Sequence, residues 1–391
     1  MAGRVKKKRE QTEYFFDYTL LFVILFLLGF GLIMIYSVSS YEAYAKYNDA
    51  AYFLKKQLLS GILGLIAMIV VANIPYHFWA RFSELGYLVS AILVIMVPFF
   101  GVEANGAKRW LPIPGIGLTI QPAEVAKLCM ILFLANLVCS MGKLIRQPRG
   151  MIFLMLTAIP MVVLVWKLTN NLSSAIIILG ISVFMIFVAS PDYKLFIILG
   201  AIGSAAVGGL LYYISKLNMS DLEGFRFKRI LAWMNPEAYA SDVGYQTLQS
   251  LYAIGSGGVF GLGLGKSRQK YLYLPFQYND YIFAIICEEL GLLGALLIIA
   301  LFSALILRGY WIALRAPDRF STVLAAGLVT LIAVQTILNL GVVTNLLPST
   351  GIALPFFSYG GTALAVNLGE MGIVLSISRY RNYPARQEAL L

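Results

Sequence analysis

The sequence predicts an all-α polytopic membrane protein with ten transmembrane helices and a large extracellular loop between helices 7 and 8. Two observations support this fold class. Of the 391 residues, 60% are apolar and only 13% are charged, and the mean hydropathy is +0.80, which is too apolar for a soluble domain. Uncharged runs of about 20 residues, the length that crosses a bilayer as a helix, recur along the whole chain.

Hydropathy sets the bounds of the ten spans. They are 15–36, 57–73, 84–100, 120–140, 152–166, 172–189, 195–215, 280–308, 320–344 and 355–377. We expect one membrane domain over 15–379, between a basic cytoplasmic tail (1–14) and a second cytoplasmic tail (380–391). The long polar connection 216–279 cannot cross lipid with its backbone groups unsatisfied, so it is expected to form the large outer loop.

The distribution of Lys and Arg predicts the orientation. Basic residues in the short loops and tails concentrate on the side that holds the N-terminus, which places both termini in the cytoplasm. The outward segments also carry basic groups: Lys108, Arg109, Arg226, Lys228, Arg229, Lys266, Arg268 and Lys270. Two interpretations stay open for these residues. They contact anionic lipid headgroups, or they form an electropositive pocket for a phosphorylated, lipid-borne ligand.

Several functional classes lack support in the residues. The three cysteines form no CxxC motif or Cys/His cluster, and the one histidine, His77, lies in a short loop, so no metal site is predicted. The glycine-rich segment 255–270 ends in Gly-Lys-Ser, but Phe260 occupies the first glycine position of a P-loop. This segment either forms a re-entrant turn or presents backbone N–H groups to an anion. No nucleic-acid partner is expected.

Three further segments place polar groups where lipid is expected. Glu124 and Lys127 are three residues apart at the start of the fourth span, so they share one face of the helix. They form either a structural ion pair or part of the wall of a polar cavity. The segment 170–175, Asn-Asn-Leu-Ser-Ser-Ala, suits a helix N-cap. The segment 346–364 is dense in proline and glycine, which predicts broken helix lining a site, including Ser358, Tyr359 and Gly360.

Three acids open the eighth span. Asp280 is expected at the outer rim, because a helix over 280–308 is about 42 Å long and exceeds the hydrocarbon thickness of about 30 Å. An N-cap role and a catalytic role both suit it. Glu288 and Glu289 lie about 12–13 Å deeper and point to different sides of the helix, so separate roles are expected for them.

These motifs resemble the SEDS family (shape, elongation, division and sporulation), which includes FtsW, RodA and SpoVE. The resemblance covers 17–379 and rests on four motifs: GAKRWLPIPGIGLTIQPAEVAKL, GYQTLQSLYAIGSGGVFGLGLGKSRQKYLYLP, NDYIFAIICEELGLLG and TGIALPFFSYGGTALAVNLGEMGI. Asp280 matches the family's essential aspartate. The chain departs from the usual motifs at Phe276 and Asn279, and Asn171 replaces an acid, so metal or second-carboxylate roles do not transfer to those positions.

The resemblance implies an inverting peptidoglycan glycosyltransferase, which polymerises lipid II into glycan strands at the outer face of the bacterial cytoplasmic membrane. Asp280 would be the general base. Lys108, Arg109, Arg226 and Lys270 would hold the pyrophosphates, and Glu124, Lys127, Ser358, Tyr359 and Gly360 would line the cavity. No cofactor is required by the residues, and a divalent cation (Mg²⁺ or Mn²⁺) is left open. A class B penicillin-binding protein is the implied partner.

Two rival functions are carried alongside this one. A transporter or flippase for lipid-linked precursors would also suit ten helices around a polar interior. A scaffold that organises a cell-wall synthesis complex without turnover is the second rival. The choice among division, elongation and sporulation is left open, with a weak preference for division or sporulation over elongation.

Overall fold

The structure is a computed structural model that describes residues 16–104, 107–113, 119–190, 193–216, 225–241, 244–271 and 273–380. Most of the described chain is helical. The helices are α1 (Tyr18–Tyr47), α2 (Tyr52–Asn73), α3 (His77–Arg81), α4 (Ser83–Phe100), α5 (Pro122–Ser140), α6 (Pro148–Thr169), α7 (Leu172–Ala189), α8 (Lys194–Ser215), α9 (Phe225–Met234), α10 (Tyr245–Gly257), α11 (Ile282–Leu314), α12 (Arg319–Val343) and α13 (Gly361–Ser378).

Ten of the described helices are long and apolar enough to cross a membrane, which confirms the predicted number. They are α1, α2, α4 to α8 and α11 to α13. The first is longer than hydropathy indicates, since α1 continues to Tyr47 rather than ending near residue 36. The last begins at Gly361 rather than at 355, because the proline- and glycine-rich segment before it is not helical.

A small sheet is the exception to the all-α prediction. It lies between α4 and α5 and contains β1 (Val102–Ala104), β2 (Ala107–Pro112) and β3 (Thr119–Ile120) in the antiparallel order β1-β2-β3. Strand β2 pairs with both neighbours, for instance Leu111 with Ile120. This strand carries Lys108 and Arg109, so the sheet fixes the position of two of the predicted cations.

The two extremes of packing are α12 and α8. In its most apolar stretch α12 is 78% buried, because it contacts α5, α7, α11 and α13. In α8 the corresponding figure is 0%, and Ile214 is its only residue buried by the described chain. Helix α12 is therefore the centre of the bundle and α8 lies at its edge. The segment 344–360 joins the end of α12 to α13, and α12 holds it through the hydrogen bond from the Asn339 side chain to the Ile352 carbonyl oxygen.

Helix α11 is broken at Gly291, where the backbone adopts φ 67° and ψ −165°. The straight helix expected over 280–308 is therefore wrong. The break frees backbone groups that a membrane helix normally satisfies internally. The turn after α10 supplies partners for these freed groups. The N–H groups of Leu262 and Gly263 donate to the carbonyl oxygens of Glu288 and Glu289, and the N–H groups of Leu292 and Leu293 donate to those of Gly258 and Val259.

Part of the predicted outer loop therefore returns to the level of the membrane-spanning helix. Glycine is required at this contact because a Cβ on Gly261 would lie 2.2 Å from the Glu289 carbonyl oxygen. On Gly257 it would lie 2.0 Å from the Cys287 carbonyl oxygen. The glycine-rich segment is thus a re-entrant turn that completes a broken helix.

Candidate active site

The Asp280 carboxylate lies just before α11 and is partly buried. It does not cap the helix: α11 begins at Ile282, its N-cap residue is Tyr281, and the Tyr281 side chain makes no capping hydrogen bond. The N-cap interpretation of Asp280 is therefore wrong. Among the described residues the Asp280 side chain accepts no hydrogen bond. A carboxylate left unbonded in this way keeps its lone pairs available for a proton.

The backbone around Asp280, by contrast, is tightly held by the segment before α13 and by α12. The Ser358 hydroxyl donates to the Asn279 carbonyl oxygen at 2.6 Å, and the Tyr359 N–H donates to that of Tyr278 at 2.8 Å. The Asn339 side chain donates to the carbonyls of Asp280 and Ile352. These bonds fix the position of the Asp280 backbone and leave the oxygens of its carboxylate unbonded.

Gly351 completes one wall of the site. It has φ +66°, and a Cβ at this position would lie 3.3 Å from the Asp280 Oδ2 atom. The broken-helix segment predicted from 346–364 therefore passes within contact distance of the carboxylate. Its neighbour Thr350 is fixed through its carbonyl oxygen, which accepts from the Ser173 hydroxyl at 2.6 Å. The prediction that this segment lines a site agrees with its position.

Two arginines act on Asp280 from different elements. Arg229 comes from α9 and donates to the Ser349 carbonyl oxygen at 3.4 Å, and Arg109 comes from β2 and donates to that of Asn170 at 3.1 Å. Burial raises the pKa of Asp280 to about 6, while the charges of Arg229 and Arg109 oppose that rise. A carboxylate with a pKa near 6 is ionised at neutral pH and still basic enough to accept a proton in a transition state.

The sequence predicted Arg109 as a pyrophosphate-binding residue. It gave no specific role to Arg229, which was noted only as one of the basic residues of the outward segments. The α9 helix explains its position. The Trp233 indole donates to the Asn345 carbonyl oxygen at 3.0 Å, and the Asn345 side chain donates back to Trp233 at 3.5 Å. This reciprocal contact docks α9 onto the segment before α13. Burial lowers the pKa of Arg229, and the negative charge of Asp280 opposes that change.

The other predicted cations have different positions. Lys108 is exposed on β2, next to Arg109. Arg226 belongs to α9, but its side chain lies outside the described part of the chain. Lys270 is buried and does not pair with Asp280; its ammonium lies 3.5 Å from Glu289 Oε1 and donates to the carbonyl oxygens of Gly265 and Ser37.

Glu124 and Lys127 form the predicted ion pair, with the ammonium 2.7 Å from Glu124 Oε1 and both side chains buried. Sequence reasoning overlooked a third charge here, Glu370 of α13. Glu370 is fully buried, its carboxylate is within electrostatic range of Lys127 and Glu124, and its oxygens accept no hydrogen bond from the described residues. An acid within an apolar span is the signal that could have identified it.

Glu288 and Glu289 share one role, contrary to expectation. The Glu288 carboxylate accepts from the Ser267 hydroxyl and from the N–H groups of Arg268 and Gln269, the latter two at 2.9 and 3.3 Å. Glu289 accepts from the Ser37 hydroxyl at 2.6 Å and pairs with Lys270. Both carboxylates anchor the segment 267–270 against α11 and α1, because this segment passes close enough to the helix to bond both neighbouring side chains.

Comparison with known proteins decides the family. The model of the FtsW/RodA/SpoVE family, described as cell cycle protein, matches residues 18–383. This chain belongs to that family. Stage V sporulation protein E of Bacillus subtilis is 40% identical over 370 residues, covering 94% of this chain and 98% of that protein. The probable peptidoglycan glycosyltransferase FtsW of Trichlorobacter lovleyi is 37% identical over 381 residues, covering 97% and 96%.

Solved structures in the family share the fold. A chain from a structure described as "Structural coordination of polymerization and crosslinking by a peptidoglycan synthase complex" matches with a TM-score of 0.77 and 24% identity, covering 94% of this chain and 99% of that one. The rod shape determining protein RodA of Thermus thermophilus matches with a TM-score of 0.66 and 24% identity, covering 94% and 98%. The chain, with ten helices long and apolar enough to cross a membrane among its described residues, therefore shares the fold of these solved structures.

Proposed function

We propose that this chain is a peptidoglycan glycosyltransferase that polymerises lipid II, with Asp280 as the general base. The observation that carries the proposal is the unbonded Asp280 carboxylate, of pKa about 6, facing the charges of Arg229 and Arg109. The name of the FtsW relatives, probable peptidoglycan glycosyltransferase, supports the same activity.

The chemistry follows from the two kinds of group in the site. Asp280 accepts the proton of the acceptor sugar hydroxyl as that oxygen attacks the anomeric carbon of the donor. The bond between that carbon and the pyrophosphate oxygen breaks, and the electron pair leaves with the pyrophosphate. Arg109 and Arg229 stabilise the charge that develops there. A single displacement of this kind inverts the anomeric centre.

Apart from Lys270, which pairs with Glu289, the other site residues predicted from the sequence have supporting roles in the proposal. Lys108 and Arg226 add positive charge around the pyrophosphate, and Glu124, Lys127, Ser358, Tyr359 and Gly360 line the cavity that receives the sugars. A divalent cation would find one carboxylate ligand, Asp280, and pyrophosphate oxygens beside it. The described residues contain no group of three metal-binding side chains, so such an ion would depend on the substrate for most of its ligands.

The partner and the membrane orientation belong to the same proposal. We place the chain in the bacterial cytoplasmic membrane with both termini in the cytoplasm, so that Asp280 and the segment 216–279 face outward. A class B penicillin-binding protein would supply the transpeptidase that crosslinks the strands. The synthase complex among the structural matches, whose description joins polymerization and crosslinking, supports such a pairing. Labelling of single cysteines introduced at Lys108 and at Lys143 in intact cells tests the orientation, because only the first should react with an impermeant reagent.

A polymerisation assay tests the function. Purified chain is incubated with lipid II, with and without a class B penicillin-binding protein, beside the variant Asp280→Asn. We expect glycan strands from the wild type and a loss of at least about 1,000-fold in the variant, the scale of removing an essential base together with its charge. Near-wild-type polymerisation by Asp280→Asn would reject the assignment. Translocation of labelled lipid II into liposomes without polymer would favour the transporter.

A further inference from the structure

The inner end of α11 carries an exposed face that is apolar on one side and basic on the other. Leu307 and Leu314 are 69% and 83% exposed. Arg315 is exposed as well, and Trp311 is half-buried. At 100° per residue the two leucines point about 20° apart, Trp311 lies about 60° from Leu314, and Arg315 lies about 40° beyond Trp311. The four side chains therefore share one face, which the proposed chemistry does not use.

The length of α11 places this face at a boundary of the membrane. From Leu292, just after the break at Gly291, to Leu314 the helix is about 33 Å long, close to the hydrocarbon thickness of about 30 Å. Leu307 therefore lies beside acyl chains, whereas Leu314 and Arg315 reach the level of the headgroups. A tryptophan at this depth is typical of the interface between lipid and water. With both termini in the cytoplasm, as proposed above, this boundary is that of the inner leaflet.

Two guanidinium groups share the Trp311 ring on this face. The Cζ atom of Arg308 lies 4.2 Å from the ring centroid and that of Arg315 lies 4.1 Å from it. The charge of Arg308 is compensated, because its Nη2 atom lies 2.8 Å from Asp17 Oδ2 and its Nε atom donates to both Asp17 oxygens. No carboxylate of the described residues forms an ion pair with Arg315, and α11 contains no acid after Glu289. Two cations and one carboxylate leave one positive charge at the edge of the lipid.

The next acid along the chain, Asp318, is engaged elsewhere. As the N-cap of α12 its carboxylate accepts from the Ser321 N–H at 2.8 Å, and it also accepts from the Tyr76 hydroxyl. The Trp311 ring attracts the Arg315 guanidinium through its π face but carries no negative charge. An anion that does not belong to the described residues is therefore the partner that suits Arg315.

We propose that this face binds one anionic glycerophospholipid of the inner leaflet, with its phosphate on Arg315 and an acyl chain over Leu307 and Leu314. The planar guanidinium can donate two parallel hydrogen bonds to phosphate oxygens, and Trp311 holds it in place for them. A phospholipid suits the face better than a free phosphate, because the exposed leucines adjoin the cation. A headgroup with a single negative charge, such as phosphatidylglycerol, balances the one uncompensated cation. The lipid would hold the inner end of the helix that begins two residues after Asp280.

Lipid selectivity tests the proposal. The full chain in detergent is titrated with phosphatidylglycerol and, separately, with phosphatidylcholine, and bound lipid is counted by native mass spectrometry. We expect the first lipid to bind the wild type about tenfold more tightly when it is phosphatidylglycerol, and we expect Arg315→Gln to abolish that preference. Arg146→Gln is the matched control, because Arg146 is an exposed arginine on the same side of the membrane, in the short helical turn Gly142–Arg146, and should keep the preference. Equal binding of the two lipids to the wild type, or equal losses in the two variants, would overturn the proposal.

A second measurement locates the lipid and separates it from other anions. In nanodiscs with equal amounts of the two lipids, benzoylphenylalanine at Leu314 should crosslink phosphatidylglycerol in preference to phosphatidylcholine. The same group at Phe153, 51% exposed near the start of α6, should show no preference. Equal preferences at the two positions, or loss of the Leu314 crosslink in excess inorganic phosphate, would reject a bound phospholipid. Tighter binding of phosphatidylglycerol by the double variant Glu10→Gln/Glu13→Gln would assign Arg315 to the acids of the N-terminal tail and reject it as well.

Discussion

Asp280 lies just before α11 and the Glu288–Glu289 pair lies about two helical turns further along the chain, yet their surroundings are opposite. The Asp280 side chain accepts no hydrogen bond from the described residues and faces two arginines. The two glutamates are fully buried and accept hydrogen bonds from side chains and from backbone N–H groups of 267–269. A carboxylate whose lone pairs are occupied stabilises the fold, whereas one held beside cations without partners is available for chemistry.

The largest expected effect is a loss of stability when one of the two buried glutamates is left without its cation. Lys270→Met should destabilise the protein by about 3–5 kcal/mol, because Glu289 would remain buried without its cation. Denaturation by sodium dodecyl sulfate, followed by circular dichroism, measures the loss. The double variant Lys270→Met/Glu289→Gln should recover a large part of it. A single variant as stable as the wild type would show that the pair does not anchor the segment.

The next largest expected effect is the loss of stability when the turn at 258–263 can no longer pack against the helix break at Gly291. Gly261→Ala should cost about 3 kcal/mol, since its Cβ would lie 2.2 Å from the Glu289 carbonyl oxygen and φ is +77°. Gly255→Ala is the matched control on the same segment: nothing lies within 4 Å of its Cβ, so the helix α10 should gain up to about 1 kcal/mol. Equal stabilities for the two variants would contradict the close approach seen in the structure.

The cations beside Asp280 should affect activity rather than stability. Arg229→Ala should lower kcat/KM about 10- to 100-fold, because one charge that stabilises the departing pyrophosphate is lost. It should also move the acidic limb of the pH–rate profile to higher pH, since Arg229 holds the pKa of Asp280 down from a value raised by burial. In the wild type this limb should lie near pH 6, with activity lost below it as Asp280 is protonated.

Lys228→Ala, one residue away on α9, is the control for that experiment and should leave the limb in place. Lys228 carries the same charge but does not act on Asp280. An unchanged limb in Arg229→Ala, or an equal shift in both variants, would remove Arg229 from the site.

The smallest expected effect is on kcat/KM, and it distinguishes the neighbouring cations Lys108 and Arg109. Lys108→Ala should change kcat/KM less than about threefold, because the exposed ammonium is screened by salt. Arg109→Ala should lower it at least about tenfold, because Arg109 acts directly on Asp280. Steady-state rates with lipid II at two salt concentrations measure both. A larger loss for Lys108 than for Arg109 would mean that the pyrophosphate binds farther from Asp280 than proposed.

The sequence was sufficient for features that depend on composition or on contiguous motifs. Apolar runs gave the ten spans, proline and glycine gave the broken segment before α13, and the spacing of Glu124 and Lys127 gave their ion pair. Features that depend on tertiary contact were not predictable in this way. The break at Gly291 needs the turn at 258–263 as its partner, and Arg229 reaches Asp280 only because Trp233 and Asn345 dock α9.

The error in the roles of the two glutamates has the same origin. Positions separated by 100° on a straight helix point apart, but an adjoining segment that wraps around the helix can bond both. Glu370 was overlooked for a different reason. The charged residue that acts on it, Lys127, lies on another helix, and the spacing of residues along the sequence does not reveal a contact between two helices.

The most direct test of the central claim compares Asp280→Asn with Glu288→Gln, which replace a carboxylate by its amide just before α11 and inside it. Raising the pKa of Asp280 from its ordinary value of 3.8 to about 6 costs the folded state up to about 3 kcal/mol above pH 6 and nothing below pH 3.8. Asp280→Asn should therefore be at least as stable as the wild type at pH 8 and inactive. Glu288→Gln should be less stable, with polymerisation per folded molecule retained. An active Asp280→Asn, or a stable and inactive Glu288→Gln, would contradict the assignment of the two carboxylates.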